Sequence, residues 1–238
     1  MKNYFQRLKS DIRFEEGLRA CINCGTCTAI CPAASFYDYD PKKIATQVQS
    51  ANDEVIEALL KSDTIWYCGE CMSCKTRCPR GNTPGLIIMA LRQLSIETGF
   101  FVESEKGRQV LALKRILGGS ILNRGYCVHI STMNHALHPE QGPVWGWIRD
   151  NAKGLYNRLG GNFEEEGPGA LRKIADEDLK ELESIFEVTQ ALSRFESIEK
   201  FSAAKAKSMG YNLTEKADDP YFQMVYTANS GKHKKSRL

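Results

Sequence analysis

Eight cysteines occur in two blocks that share one spacing, and cysteines at such short intervals are typical metal ligands. The blocks consist of Cys21, Cys24, Cys27 and Cys31, and of Cys68, Cys71, Cys74 and Cys78. The second block repeats the first after 47 residues, and each block ends in a Cys-Pro pair. Three cysteines separated by two residues each allow one tight loop to bind three corners of an iron–sulfur cube through thiolates. The spacing therefore predicts iron–sulfur ligation.

Two other uses of these cysteines compete with that interpretation. Disulfide bonds are disfavoured because the chain has an odd total of nine cysteines and because residues 1–19 lack the apolar segment of a secretion signal. A zinc ribbon requires only two cysteines per block, whereas each block here has a third at the same interval and a fourth before proline. We expect two 4Fe–4S clusters, with zinc and disulfides as the alternatives.

The fourth cysteine of each block is assigned by its likeness to the run Cys-x2-Cys-x2-Cys-x3-Cys-Pro of bacterial two-cluster ferredoxins. In those proteins the fourth cysteine binds the other cluster. On that likeness the expected ligand sets are Cys21, Cys24, Cys27 and Cys78 for one cluster, and Cys68, Cys71, Cys74 and Cys31 for the other. Such cross-ligation joins the two halves of the domain and keeps the clusters close enough for electron hopping.

The segments around the blocks predict helices rather than strands. Asp40-Pro41 and Asn52-Asp53 are typical helix starts, and each precedes apolar residues at helical intervals. After the second block, Thr83-Pro84 begins a third predicted helix, which Gly99 ends. The sequence therefore predicts an all-α fold, with an α-helical ferredoxin domain at residues 1–100 and a mostly helical extension at residues 101–238.

The extension has a weaker pattern. We expect a helix from Ser104 that ends at Gly118-Gly119, an irregular segment at residues 120–169, and an amphipathic helix from Asp176 that continues or restarts towards Gly210. Residues 161–200 contain eleven acidic and five basic residues, which indicates either a solvated helix face or a docking helix for a partner protein. The basic end of the tail, at residues 232–238, is expected to be mobile at its tip.

The cysteine blocks and their helical frame resemble those of the C subunit of heterodisulfide reductase, including the related subunits of sulfur-oxidising heterodisulfide-reductase-like complexes. The resemblance covers about residues 1–100 and rests on four segments, which are 20–27, Cys31-Pro32, 68–74 and Cys78-Pro79. It implies a subunit without catalytic residues that relays electrons. The implied partners are a flavin-containing iron–sulfur subunit and a catalytic subunit with Cys-Cys-Gly domains that acts on a disulfide or sulfur substrate.

Two alternative functions remain open beside that resemblance. The same helical module occurs in succinate dehydrogenase and fumarate reductase iron–sulfur subunits, but those normally have a preceding 2Fe–2S domain, and only 20 residues precede Cys21 here. A free ferredoxin-type carrier has little use for the long extension. The chain has no Gly-x-Gly-x-x-Gly motif for a flavin or nicotinamide.

Composition restricts where the protein can act. With 42% hydrophobic residues, a net charge of +3 and no apolar run near the 20 residues that cross a bilayer, we expect a cytoplasmic protein without a membrane span. The few basic residues of the tail, without aromatic residues between them, argue against nucleic acid as a partner.

Several other side chains could do chemistry. Cys127, His129, His135 and His138 could form a mononuclear metal site, although a buried inert thiol with hydrogen-bonded histidines is the favoured interpretation. Trp66 and Tyr67 are expected to shield a cluster rather than relay electrons. The cations Arg19, Lys75, Arg77 and Arg80 flank the ligands and are expected to raise the cluster potentials.

Overall fold

The structure, a computed structural model, describes residues 2–132 and 141–230. Those residues form helices and turns, and they contain no β-strand, so the predicted all-α fold is confirmed. They divide into two compact units, with boundaries between Arg108 and Gln109 and between Ala228 and Asn229. Among the described helices, none is long and apolar enough to cross a membrane.

The N-terminal unit contains eight α-helices among its described residues, with short 3-10 turns at Thr64–Tyr67 and Phe100–Glu103. The helices are α1 (Tyr4–Lys9), α2 (Phe14–Gly17), α3 (Thr26–Ala29), α4 (Pro32–Phe36), α5 (Pro41–Gln49), α6 (Asp53–Leu60), α7 (Pro84–Thr98) and α8 (Glu105–Arg108). The short helices α3 and α4 lie within and directly after the first cysteine block. The longer helices α5, α6 and α7 form the frame.

The frame helices begin and end at the signals that the sequence contains. The Asp40 side chain accepts a hydrogen bond from the Lys43 amide at the start of α5, and the Asn52 side chain accepts from the Glu54 and Val55 amides at the start of α6. Gly99 ends α7 in the left-handed conformation, with a φ of 77°. The three predicted frame helices are therefore confirmed.

The core of the N-terminal unit lies around α7. Ile87, Ile88 and Leu91 are fully buried there and join apolar residues of α5 and α6 in one cluster. Burying each such side chain contributes about 1.5–3 kcal/mol. Helix α2 approaches α7 closely, because a Cβ placed on Gly17 would lie 2.7 Å from the Ile87 side chain. This packing fixes the position of α7, whose first residues line the cavities at the cysteine blocks.

The C-terminal unit contains seven α-helices within its described residues, with a π-helical segment at Lys114–Gly118 and a 3-10 turn at Ile130–Thr132. The helices are α9 (Val110–Leu113), α10 (Gly119–Arg124), α11 (Pro143–Asp150), α12 (Ala152–Arg158), α13 (Asp176–Val188), α14 (Ala191–Ser208) and α15 (Pro220–Thr227). The tip at residues 232–238, for which the sequence predicts mobility, lies outside the described residues.

Two predictions for the extension are wrong. Gly118-Gly119 does not end a helix, because the helical path continues through α10 to Arg124. Gly118 instead permits packing, since a Cβ there would lie 2.6 Å from the Phe195 ring. The segment at residues 120–169 is also less irregular than expected, because it contains α11 and α12. The amphipathic segment restarts rather than continues, with Gln190 at a φ of 60° between α13 and α14.

A charged cluster joins α14 to the π-helical segment. Glu199 accepts hydrogen bonds from Lys114 at 2.9 Å and from both Nε and Nη2 of Arg115 at 2.9 and 2.7 Å. Burial alone would raise the pKa of Glu199, but the hydrogen bonds from Arg115 and Lys114 outweigh it and hold the pKa below its usual value. Arg115 also donates to the Thr214 carbonyl and lies over the Phe222 ring. Glu199 therefore fixes two cations inside this unit.

We expect Glu199→Gln to destabilise the C-terminal unit by about 1–3 kcal/mol at neutral pH, because the amide leaves two half-buried cations without their counter-charge. A folded-state pKa below the unfolded one stabilises above the unfolded value, and this contribution is lost as the pH falls through the folded value. The difference between variant and wild type in urea unfolding should therefore shrink in acid. Glu196→Gln, on the exposed side of α14, is the control. A pH-independent difference would contradict the charge explanation.

Candidate iron–sulfur site

Four cysteines line a small cavity on one side of the α7 N-terminus, and this cavity is called the first site here. They are Cys21, Cys24, Cys27 and Cys78. The cations Lys42 and Arg80 also line the first site, together with Asn82 and Pro84. Cys27 is the buried member of the set, and burial raises the pKa of its thiol to about 11.

The other four cysteines of the two blocks line a larger cavity of about 250 Å³, the second site. They are Cys31, Cys68, Cys71 and Cys74. The rest of the lining is apolar and aromatic, and includes Phe36, Tyr39, Tyr67, Met72 and Ile88. Each site thus combines three cysteines of one block with the last cysteine of the other.

The two blocks repeat their backbone conformation as well as their cysteines. Asn23 and Glu70, which are 47 positions apart, have φ values of 59° and 54°, and Gly25 and Met72 follow at 81° and 57°. Left-handed conformations cost a non-glycine residue about 1–2 kcal/mol. Alternating helical and left-handed residues turn successive N–H groups towards one point, which favours an anion. In the first block the Asn23 amide points to the Cys21 sulfur at 3.4 Å.

Hydroxyl groups repeat in the same way. The Thr26 hydroxyl lies 3.4 Å from the Cys24 sulfur, and the Cys71 thiol donates to the Ser73 hydroxyl at 3.4 Å. Once the thiol loses its proton, each hydroxyl is free to donate to the sulfur. These contacts lower the pKa of both thiols. A hydroxyl that donates to sulfur stabilises the thiolate, which is the form that binds iron. Each block therefore has one hydroxyl that prepares its second cysteine for ligation.

The N-terminus of α7 separates the two sites. Pro84 lines the first site and Gly85 the second. The Thr83 side chain makes no capping hydrogen bond. The Cys74 sulfur lies beside the Gly85 amide, and burial raises the pKa of this thiol overall, although the amide lowers it in part. The first amides of a helix lack internal partners and attract negative charge. A thiolate at Cys74 therefore takes the position that an N-cap side chain occupies in other helices.

Several positioning residues have no signal in the sequence, because their partners are distant along the chain. Asn82 accepts from the Arg19 amide at 2.7 Å and donates to the Ala20 carbonyl, which joins the entry to α7 to the entry to the first block. Arg92 of α7 donates to the carbonyl oxygens of Ile65 and Cys68 at 2.7 and 2.6 Å. These contacts hold both blocks against α7.

The donor set fits iron–sulfur clusters better than a single ion. All nine thiols are free, so no disulfide uses them. Throughout the described residues, no group of three or more His, Cys, Asp or Glu side chains is placed to hold one metal ion. A cluster spreads its thiolates because each binds a different iron. The buried Tyr39 hydroxyl, which has no hydrogen-bond partner of ordinary geometry in the described protein, lines the second site as well.

The other side chains singled out in the sequence lie in different places, and only some of them line a site. Tyr67 lines the second site, and Trp66 packs against the core with Arg92 over its ring. Arg80 lines the first site, and Lys75 pairs with Glu16. Lys42 also lines the first site, although the sequence pattern does not single it out.

The histidine-rich segment is only partly described. His129 is buried and its Nδ1 lies 2.8 Å from the Ser131 hydroxyl, as a hydrogen-bonded histidine should. Cys127 is exposed, so the prediction of a buried thiol at this position is wrong. His135 and His138 lie outside the described residues, so the mononuclear metal site stays untested. Burial and the nearby Arg124 lower the pKa of His129.

The helical fold and the two cysteine-lined cavities define an α-helical iron–sulfur protein. Residues 17–82 match the family model of the 4Fe-4S dicluster domain. The chain is 45% identical over 104 residues to the C subunit of the ferredoxin:CoB-CoM heterodisulfide reductase of Methanosarcina acetivorans, covering 43% of this chain and 40% of that relative. It is 37% identical over 84 residues to the C 2 iron–sulfur subunit of the CoB–CoM heterodisulfide reductase of Methanocaldococcus jannaschii, covering 35% and 43%.

A longer but weaker match is to the C subunit of the H(2):CoB-CoM heterodisulfide,ferredoxin reductase of Methanothermobacter marburgensis, at 25% identity over 138 residues, or 55% of this chain and 68% of that relative. Through its cysteine-bearing segment the chain is similar to the C subunits of heterodisulfide reductases, in line with the resemblance seen in its sequence. The chain spans about two fifths of the length of the first two relatives.

We expect Gly85→Val to reduce iron and sulfide content to about half. A Cβ at Gly85 would lie 3.2 Å from the Met72 sulfur and 3.7 Å from the Cys74 sulfur, and the branched methyl groups of valine extend into the second site. Gly69→Ala is the control, because a Cβ at Gly69 meets nothing within 4 Å. Colorimetric iron and sulfide assays on anaerobically purified protein make the comparison. Equal contents in the two variants would show that the second site does not need this close approach.

Proposed function

We propose that this chain is the iron–sulfur electron-transfer subunit of a heterodisulfide reductase-like complex in the cytoplasm. It relays electrons between a flavin-containing iron–sulfur subunit and a catalytic subunit with Cys-Cys-Gly domains. The observation that supports this most directly is the pair of cavities, each lined by three cysteines of one block and one of the other. The names of the relatives, which are C subunits of heterodisulfide reductases, support the kind of complex.

The eight block cysteines hold two 4Fe–4S clusters in this proposal. Cys21, Cys24, Cys27 and Cys78 bind the one at the first site, and Cys31, Cys68, Cys71 and Cys74 bind the one at the second. Clusters of this kind supply one-electron transfer. The chain itself contributes the thiolates, the hydroxyls of Thr26 and Ser73, and the α7 amides that face the sulfurs.

Reduction adds negative charge to a cluster, and the two sites surround that charge with different side chains. Lys42 and Arg80 line the first site, and nearby cations favour the more negative, reduced state. The second site is lined mainly by apolar and aromatic side chains, which disfavour additional charge unless a donor compensates. Two unequal sites on one rigid frame suit a relay between two different redox partners.

The chain has no catalytic residue in this proposal, and residues 101–238 serve for docking to partner subunits. Helix α13 supports that role. Six of its residues are acidic, none is buried, and its apolar residues Ile185 and Val188 are exposed by 53% and 84%. An exposed helix with both charge and apolar side chains is suited to a protein interface.

Cross-ligation is tested with paired cysteine variants. The wild-type protein should contain about eight iron and eight sulfide atoms. Cys31→Ser with Cys71→Ser should leave one intact cubane, since both changes affect the second site. Cys31→Ser with Cys24→Ser should damage both clusters, because these cysteines belong to different sites. Electron paramagnetic resonance of the reduced proteins distinguishes these results. The opposite pairing would refute cross-ligation, and zinc without sulfide in the wild type would refute the clusters.

The complex itself is tested by affinity purification of the tagged chain from its own cells under anaerobic conditions. We expect a flavoprotein and a subunit with Cys-Cys-Gly repeats to co-purify, and disulfide reduction to require that subunit. A variant chain with Ile185→Lys and Val188→Glu should retain its iron and lose partners, because both side chains are exposed and lie outside the cysteine-bearing unit. Co-purification with a succinate dehydrogenase-type flavoprotein, or reductase activity of the chain alone, would contradict the proposal.

A further inference from the structure

Tyr39 is the polar side chain most enclosed by the second site. It lies between α4 and α5, is 3% exposed and lines the same cavity as Cys31 and Cys68. Its ring meets Tyr67 edge to face, with centroids 6.4 Å apart, and Tyr67 in turn stacks on Tyr37 at 4.4 Å. The aromatic group therefore fixes the position of the Tyr39 ring.

The Tyr39 hydroxyl has no hydrogen-bond partner of ordinary geometry in the described part of the protein. Buried hydroxyls normally have one, because an unpaired polar group loses its hydration without compensation. Burial raises the pKa of Tyr39, and the Cys68 sulfur, which lies within reach of a long hydrogen bond from the hydroxyl, raises it further together with Cys31. The enclosed hydroxyl is therefore a hydrogen-bond donor that lies beside the cysteines of the second site.

We infer that the Tyr39 hydroxyl donates a hydrogen bond to a sulfur of the cluster held at the second site, its cysteine ligands included, and raises the reduction potential of that cluster. The inference rests on the proposed function, since it requires a cluster at Cys31, Cys68, Cys71 and Cys74. Reduction adds negative charge to the sulfurs, so a donor stabilises the reduced state more than the oxidised state.

The effect is confined to one cluster by the composition of the two sites. The described lining of the second site includes no lysine, arginine or histidine, so the Tyr39 hydroxyl acts there in mainly apolar surroundings where hydrogen bonds are strong. The described lining of the first site includes no tyrosine and has Lys42 and Arg80 instead. Tyr39 thus tunes the second site alone, and the first site is an internal reference.

Tyr39→Phe tests the inference, because it removes one oxygen and keeps the ring. Potentiometric titration followed by electron paramagnetic resonance should show one of the two midpoint potentials shifted downwards and the other unchanged, at unchanged iron content. Tyr37→Phe is the matched control, since it removes the same atom from a ring that stacks on Tyr67 but lies outside the described lining of the second site, and it should leave both potentials in place. Repeating Tyr39→Phe in a Cys24→Ser background, in which only the second site keeps its ligands, assigns the shifted potential.

A second variant separates tuning from a structural role. Site-specific 3-fluorotyrosine at position 39 has a more acidic hydroxyl of nearly the same size, so the potential should shift upwards, opposite to Tyr39→Phe. If both changes leave both potentials unchanged while two 4Fe–4S signals are present, the inference is wrong and the proposed function stands. If Tyr39→Phe loses iron and fluorotyrosine shifts nothing, Tyr39 is only structural. If the wild type shows no 4Fe–4S signal, the proposed function itself fails.

Discussion

The N-terminus of α7 is the point on which both the fold and the site depend. Its amides lack a side-chain cap from Thr83, and the Cys74 sulfur lies beside the Gly85 amide instead. The same helix provides Ile87 and Ile88 at the centre of the core. An anion at the start of α7 stabilises the helix, and the helix carries the central residues of the core. Ligand binding and folding are therefore mutually dependent.

The repeat of 47 residues gives the sites their common chemistry but not their surroundings. Left-handed residues at Asn23 and Glu70, and hydroxyls at Thr26 and Ser73, occupy equivalent places in the two blocks. The flanking segments are not repeated, so one site meets cations and the other meets aromatic rings. Equivalent ligand loops with unequal surroundings are a simple way to obtain two clusters of different potential.

The sequence predicts what depends on neighbours along the chain. Asp40, Asn52 and Gly99 act on the backbone within four residues, so the bounds of α5, α6 and α7 follow from local signals. The pattern misassigns Gly118 because its role is contact with Phe195, 77 positions away, and not backbone freedom. Tyr39, Asn82 and Arg92 escape prediction for the same reason, since tertiary packing alone brings them to the cysteine blocks.

The two kinds of surroundings also differ in how they respond to solvent. Arg80 and Lys42 at the first site retain contact with water, so dissolved ions screen part of their effect on a cluster. The Tyr39 hydroxyl is enclosed, and a buried hydrogen bond is little affected by ionic strength. A docking partner that excludes water from the first site would strengthen its cations and leave the second site unchanged. Complex formation would then alter the difference between the two potentials, which couples assembly to the direction of electron flow.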